Sequence, residues 1–308
     1  LVKVQDLKKY FDVSPSLITR VVERKPRTLL KAVDGVSFEI RRGETLALVG
    51  ESGCGKSTTA RMLVGLDKPT SGTVEVDGKD LYASRGKDEK LVRQNPDDFP
   101  GSLRSLNPRW KVGRIVAEPI IAQKIIKDPK EIENRVNSVL HLVNLSKEDK
   151  DKYPHQFSGG QRQRISIARA IAIHPEFLVC DEPTSALDVS VQAQVLNLMQ
   201  NLQREVGLTY LFISHNLSVV HHISDRVGVM YLGRLVELAD KRTLFNEPRH
   251  PYTRMLLDAI PDLSQTIGDA RRFRAKCPIR SHRPQAARSI PAVRLPTNAA
   301  AKKCRFDK

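Results

Sequence analysis

The sequence predicts an α/β fold: a mixed sheet interrupted by a helical segment and followed by a basic tail. Three observations carry that expectation. The short apolar runs Thr45–Val49, Phe177–Cys180 and Tyr210–Ile213 have the length and composition of buried strands. A glycine-rich segment, Gly50-Glu51-Ser52-Gly53-Cys54-Gly55-Lys56-Ser57, follows the first of them and leads into a helix-compatible stretch, Thr58–Val64. From Ile115 to Leu145 apolar residues recur at helical spacing, with breaks expected at Pro119 and Pro129.

The glycine-rich segment fits the phosphate-binding pattern G-x-x-x-x-G-K-[ST] in its strand, loop, helix context. Glycines at 50, 53 and 55 let successive N–H groups converge on phosphate oxygens at a helix N-terminus whose dipole favours anions. Lys56 would reach the β- and γ-phosphates and Ser57 would ligate Mg²⁺. The loop alone leaves the reaction open.

The remaining elements follow in order. Residues 1–11 alternate as a strand and end in Tyr10-Phe11, two aromatics that either stack on an adenine ring or close a core at a strand end. Residues 13–30 read as loop, residues 32–40 alternate again, and Arg41-Arg42-Gly43-Glu44 turns into the strand before the phosphate loop. Residues 72–79 read as a short strand with a turn. Residues 85–113 are turn-rich and include Gln94 and Ser105-Leu106-Asn107-Pro108-Arg109. Ser158-Gly159-Gly160-Gln161 then opens a helical run to Ala172 and forms a second anion site or a simply capped helix. If both sites bind phosphate, either they share one ligand within a monomer or each supplies half of a composite site in a dimer.

The strand Phe177–Cys180 ends in Asp181-Glu182. Carboxylates at that end of a central strand beside a phosphate loop either have no role or suit Mg²⁺ held through water by Asp181 and an attacking water oriented or deprotonated by Glu182, the second being the expectation. A long amphipathic helix, Val189–Glu205, precedes the strand Tyr210–Ile213. That strand ends in Ser214-His215, a histidine placed for the γ-phosphate or a structural one. Residues 226–237 give two strands about Gly233.

Composition bounds the class. At 308 residues the chain accommodates one large α/β domain with an appendage, or two domains. No run approaches the roughly 18 to 20 apolar residues of a membrane span, and the first residues lack a signal-peptide core, so a cytosolic protein is expected. Cys54, Cys180, Cys277 and Cys304 are too scattered for a disulfide framework. The net charge is +16, but residues 269–308 hold twelve Lys/Arg against two acids, so the basicity is mostly a property of the tail. Aromatic platforms for bases are nearly absent there.

Taken together, these features resemble the ATP-binding subunit of an ATP-binding-cassette (ABC) transporter over about residues 1–262, with residues 263–308 as a basic extension. The resemblance rests on the phosphate loop, Gln94 as the lid-loop glutamine, the Ser158-Gly159-Gly160-Gln161 signature, Asp181-Glu182, Ser185-Ala186-Leu187-Asp188 and His215. It implies an ABC-type ATPase with a mixed central sheet, an antiparallel β-subdomain and a helical subdomain at about residues 95–175. It assigns ATP contacts to Phe11 (Tyr10 as alternate), to Gly50, Glu51, Ser52, Gly53, Cys54, Gly55, Lys56, Ser57 and Thr58, and to Ser158, Gly159, Gly160 and Gln161. It assigns Mg²⁺ to Ser57, Gln94 and Asp181, and catalysis to Glu182, His215 and Gln94. In such proteins two subunits sandwich two ATP molecules between one partner's phosphate loop and the other's signature.

Finer features resemble the oligopeptide/dipeptide importer branch: Ser105–Arg109, Ala186–Leu196, Met230-Tyr231-Leu232-Gly233 and Asn246–Thr253. That implies a second ATPase subunit, two membrane permeases, a solute-binding protein engaged indirectly, and a place on the cytoplasmic face of the membrane. Asn95 and Asn216 stand where Asp is usual, and Phe157 where Leu is usual; Asn216 is expected to weaken dimer contacts around His215. The branch often ends in a cysteine-rich iron-sulfur segment. Only Cys277 and Cys304 remain here, fewer than the four thiolates a cluster takes, so none is expected. The competing class is a soluble nucleic-acid-associated ATPase with the same head. Such heads carry long insertions between phosphate loop and signature, whereas here only about a hundred residues separate Gly50 from Ser158, and no nucleic-acid partner is expected.

Overall fold

The computed structural model describes residues 1–14, 28–82 and 106–259. Two sheets form. The first is antiparallel, in the order β2-β1-β4-β5, from β1 (Val2–Asp12), β2 (Leu29–Ile40), β4 (Ser71–Val76) and β5 (Lys79–Asp80). The second is mixed, in the order β6-β7-β3-β8-β9, from β3 (Thr45–Val49), β6 (Phe177–Asp181), β7 (Thr209–Ile213), β8 (Arg226–Tyr231) and β9 (Arg234–Asp240). Strands β6, β7, β3 and β8 run parallel, and only β9 is antiparallel.

The central strands read as continuous apolar runs because both faces are buried. On one face Leu46, Leu48, Phe177, Val179, Leu211 and Ile213 pack with the antiparallel sheet and with α1 (Lys56–Leu63). On the other, Ala47, Val49, Leu178, Cys180, Tyr210 and Phe212 pack under a helical layer. That layer comprises α2 (Val112–Ala122), α3 (Pro129–Leu142), α4 (Gly159–Ile171) and α5 (Val189–Val206). Two 3₁₀ turns, Lys147–Asp151 and Pro154–Gln156, and three short α-helices complete the described elements: α6 (Leu217–Ile223), α7 (Lys241–Asn246) and α8 (Pro251–Asp258). The strand period of two thus assigns alternate residues to two separate cores. Each fully buried large side chain contributes about 1.5–3 kcal/mol to holding these layers together.

Pro119 does not break a helix: it lies within α2, and the Gln123 N–H bonds back to the Pro119 carbonyl one turn on. The ring is buried in the helical layer, whose packing outweighs the one backbone bond that proline cannot make. Pro129 behaves differently, starting α3 at its first turn, where its missing N–H is harmless and Asp128 caps the next residue. Strand β2 begins at Leu29, slightly before the alternation becomes visible in the sequence. Among the described residues no helix is long and apolar enough to cross a membrane. Gln94, Asn95, Ser105, Cys277 and Cys304 lie outside the described residues, as does the whole of 263–308.

Candidate active site

The fold brings the carboxyl ends of β3, β6 and β7 side by side, and the sequence places a polar group at each. Strand β3 runs into the phosphate loop. Its first and third glycines are demanded by close backbone approaches as well as by positive φ. A Cβ at Gly50 (φ +144°) would lie 2.2 Å from the Met230 carbonyl oxygen, and one at Gly55 (φ +113°) 2.5 Å from the Ala32 carbonyl oxygen. The loop is therefore seated on β2 and on the β8–β9 turn, where the Gly233 N–H donates to the Cys54 carbonyl at 2.8 Å. Lys56, buried at the base of the loop, donates to the carbonyls of Gly50 (2.7 Å) and Glu51 (2.9 Å).

Strand β6 ends in Asp181, whose carboxylate is hydrogen-bonded by the Ser57 side chain. Burial raises the Asp181 carboxyl above its ordinary range and the neighbouring Glu182 charge adds to it, against the Ser57 hydrogen bond and the Lys56 and Arg61 charges. Glu182 adopts a left-handed backbone (φ +50°), unusual outside glycine and costing about 1–3 kcal/mol. Its N–H crosses to the Ile213 carbonyl at the end of β7 (2.9 Å), and this kink turns its side chain toward His215. His215 Nδ1 and Glu182 Oε1 are 2.8 Å apart. A carboxylate accepts only, so the ring donates from Nδ1. Two pairs thus meet at the end of β6: Asp181 with Ser57 of α1, and Glu182 with His215 just beyond the neighbouring strand β7.

The signature lies on the helical layer. Ser158 caps α4, its hydroxyl accepting from the Gln161 N–H (3.3 Å) while Gln161 Oε1 accepts from the Ser158 N–H (3.0 Å). Gly159 and Gly160 pack toward Leu187 and Val191 around the N-terminus of α5. Phe157, just before the signature, is buried in the helical-layer core, which accepts the ring in place of the usual leucine. Asn216 caps α6, Oδ1 accepting from the N–H groups of Ser218 and Val219.

The structure separates the two aromatics at the end of β1. The Tyr10 hydroxyl donates to Asp34 at 2.6 Å and is half-buried, whereas Phe11 is exposed with Lys9 over its ring. Strand alternation makes that division.

Two supports escaped the sequence reading. The Tyr252 hydroxyl accepts the Glu51 N–H at 3.1 Å, tying α8 to the phosphate loop across 201 residues. Tyr82 donates toward the Met62 and Asp67 carbonyls at the far end of α1. The Asn246–Thr253 segment stood out in the sequence but carried no pattern that points to a phosphate loop so far upstream.

Comparison with known proteins agrees with this architecture. The ABC transporter family model matches residues 33–185, and the model for the oligopeptide/dipeptide transporter C-terminal region matches residues 236–308. The oligopeptide transport ATP-binding protein OppF of Bacillus subtilis (strain 168) is 54% identical over 238 residues, covering 77% of this chain and 78% of that protein. The dipeptide transport ATP-binding protein DppF of Escherichia coli (strain K12) is 50% identical over 277 residues, 90% of this chain and 80% of its own. Among solved structures, a bacterial ABC transporter cassette determined as a dimer superposes with a TM-score of 0.66 at 26% identity, covering 79% of this chain and 99% of that one. The nucleic-acid-associated alternative finds no support among these relatives. With the cassette architecture, both family models and relatives about half identical over most of its length, the chain belongs to the ABC transporter family, among its oligopeptide and dipeptide transport ATP-binding proteins.

Proposed function

We propose that this chain is the ATP-hydrolysing subunit that powers oligopeptide or dipeptide import through a membrane permease complex. The observation that carries the catalytic part is the Glu182–His215 pair, 2.8 Å apart at the strand ends next to the Ser57–Asp181 pair. The Ser57 hydroxyl and Asp181 carboxylate are hard oxygen donors already within reach of one another, a set that suits Mg²⁺. When bound, that ion neutralises charge developing on the β- and γ-phosphate oxygens. The residues of the chain do the rest. Apart from the Glu51 N–H, which Tyr252 accepts, and the Cys54 N–H, which the Glu51 carbonyl accepts, the N–H groups of residues 50–58 cradle the phosphates, and Lys56 exchanges its loop carbonyls for phosphate oxygens. Phe11, the exposed aromatic, stacks on adenine. Glu182 orients the attacking water and takes its proton, and His215 fixes the Glu182 carboxylate and faces the γ-phosphate. Gln94 joins the Mg²⁺ and water contacts on the strength of the family pattern alone.

In this reading the signature, Ser158 to Gln161, completes the site of an opposing ATPase subunit. The dimeric arrangement of the similar cassette supports that, as does a second structure of it in a post-hydrolysis state with ADP and Pi. Residues 1–262 act as the cassette and 263–308 as a basic extension. Two permeases would receive the motion on the cytoplasmic face of the membrane, and a solute-binding protein would deliver the peptide. The first test is ATP turnover and ATP-dependent dimerisation of wild type and Glu182→Gln, followed by peptide uptake with the permease complex. We expect Glu182→Gln to lower turnover by about 10²–10⁴-fold while retaining ATP in a trapped dimer and stopping uptake. Turnover that requires DNA or RNA would overturn the transporter reading.

A further inference from the structure

We infer that Tyr252 is a positioning residue of the nucleotide site, and that the Asn246–Thr253 segment exists in part to hold it against the phosphate loop. The inference rests on the assignment of residues 50–58 to the nucleotide phosphates. Tyr252 is 6% exposed, and its hydroxyl accepts the N–H of Glu51, the second residue of the loop. That bond directs the Glu51 N–H toward the protein and so fixes where the loop turns inward, just before the N–H groups that would converge on phosphate. The same residue supplies its carbonyl to Lys56 (2.9 Å), so Tyr252 and Lys56 grip one residue from its two polar sides.

The aim of Tyr252 is itself over-determined. Pro251 opens α8, and His250 Nδ1 accepts the Tyr252 N–H at 3.1 Å. The Tyr252 ring lies 4.4 Å, centroid to centroid, from Tyr231 at the end of β8. Glu237 of β9 anchors the approach to the helix, its carboxylate accepting from the N–H groups of Arg249 (2.9 Å) and His250 (3.0 Å) and from the Thr253 hydroxyl (2.5 Å). A single carboxylate thus gathers three donors from one turn of chain, and Thr253 is buried beneath it. A surface helix that only had to cover the β8–β9 edge would not need its first turn fixed so completely. The segment falls inside the stretch matched by the oligopeptide/dipeptide transporter C-terminal model rather than by the ABC transporter model. The C-terminal region therefore reaches the phosphate loop through this tyrosine.

The test removes one oxygen. Tyr252→Phe keeps the ring against Tyr231 and deletes the acceptor of the Glu51 N–H. Binding of a fluorescent ATP analogue to the purified full-length chain, with Mg²⁺ present, would be measured for wild type, Tyr252→Phe and Lys56→Ala, alongside thermal unfolding without nucleotide. We expect Tyr252→Phe to weaken nucleotide binding about five- to tenfold at a temperature where the protein remains folded. Thr253→Val, which removes one of the three Glu237 donors and leaves the tyrosine in place, should weaken it about two- to threefold. If Tyr252→Phe lowers the unfolding temperature but binds nucleotide as wild type does, the tyrosine is structural only and the inference fails. If Lys56→Ala binds as tightly as wild type, the assignment of residues 50–58 to the phosphates fails instead.

Discussion

The phosphate loop and the signature are both glycine-containing turns at helix N-termini, yet the protein holds them in opposite ways. The phosphate loop is braced over long sequence distances, by Gly233 to Cys54, Tyr252 to Glu51 and Asp181 to Ser57, but its helix α1 has no side-chain cap on Gly55. The signature helix α4 caps itself locally through the reciprocal Ser158–Gln161 bonds. Helix termini leave orphan N–H groups that some acceptor must satisfy. At α1 that acceptor is not a side chain of the cap, which suits a phosphate. At α4 it is partly the cap serine, which leaves the signature helix capped from within the chain. In the proposed reading, that difference suits one half-site that holds its ligand alone and another that completes a neighbour's.

The sharpest way to break this comparison is to disturb the signature without touching the loop. A Cβ at Gly160 would lie 2.3 Å from Val191 Cγ1, a β-branched side chain on α5 with little freedom to move. Gly160→Ala should therefore push α4 away from α5, costing about 1–3 kcal/mol of local packing. We expect ATP turnover to fall at least about tenfold, the equivalent of about 1.4 kcal/mol in the barrier, with nucleotide affinity of the isolated subunit within about twofold of wild type. Adding Val191→Ala should restore turnover by opening the space. A parallel loss of nucleotide affinity in Gly160→Ala would show that the two halves are not independent.

How far each half was legible in the sequence follows from the same physics. Strand β3, the phosphate loop and the Asp181-Glu182 strand end could be read because apolar runs of strand length and a fixed glycine spacing are local signals. The α4 start was equally visible as a serine and two glycines before a helical run. Pro119 misled because burial in the helical layer overrides a local breaker. The left-handed Glu182 backbone leaves no trace in residue type, since glutamate carries no preference for it. The Tyr252–Glu51 bond spans 201 residues and depends on how α8 folds back from β9, which no local pattern encodes. The division between Tyr10 and Phe11 had to wait for the register of β1 against β2, which includes a shift between Lys9 and Tyr10.

A smaller effect sharpens the phosphate-loop side. Asp34, 6% exposed, accepts from the Tyr10 hydroxyl and from Arg234 at 3.0 Å, and its own N–H donates to the Gly233 carbonyl behind the loop. Burial alone would raise its carboxyl, but those hydrogen bonds and the charges of Lys31 and Arg234 outweigh it and bring the carboxyl down from 3.8 to about 2. A depressed folded-state value means that the carboxylate stabilises the fold above its unfolded value and loses that contribution as pH falls through the folded one. Asp34→Asn should cost about 1–2 kcal/mol at pH 7, measured by urea unfolding. The gap from wild type should close between about pH 4 and pH 2. A gap that does not change with pH would mean that the network is held by shape rather than by charge.

The smallest effect concerns Asn216, beside His215, where the family pattern usually has Asp. As a cap the two residues rank equally, and the amide oxygen already accepts from Ser218 and Val219 at 3.0 and 3.4 Å. An aspartate would add a favourable charge at the start of α6, of about 0.3–1 kcal/mol at most on an exposed helix end. It would also place a second carboxylate next to the Glu182–His215 pair, which opposes that gain. Asn216→Asp should therefore move stability by no more than about 0.5 kcal/mol and leave nucleotide affinity of the isolated subunit unchanged. ATP-dependent dimerisation is the quantity that separates the halves. If the substitution strengthens it while affinity stays fixed, residue 216 acts across the subunit boundary, and the loop side of the site carries a self-sufficient ligand grip beside a residue tuned for the neighbour. If affinity shifts instead, the cap reaches the phosphate loop through Ser214, whose N–H bonds the Leu48 carbonyl on β3 and whose hydroxyl accepts the Asn216 N–H.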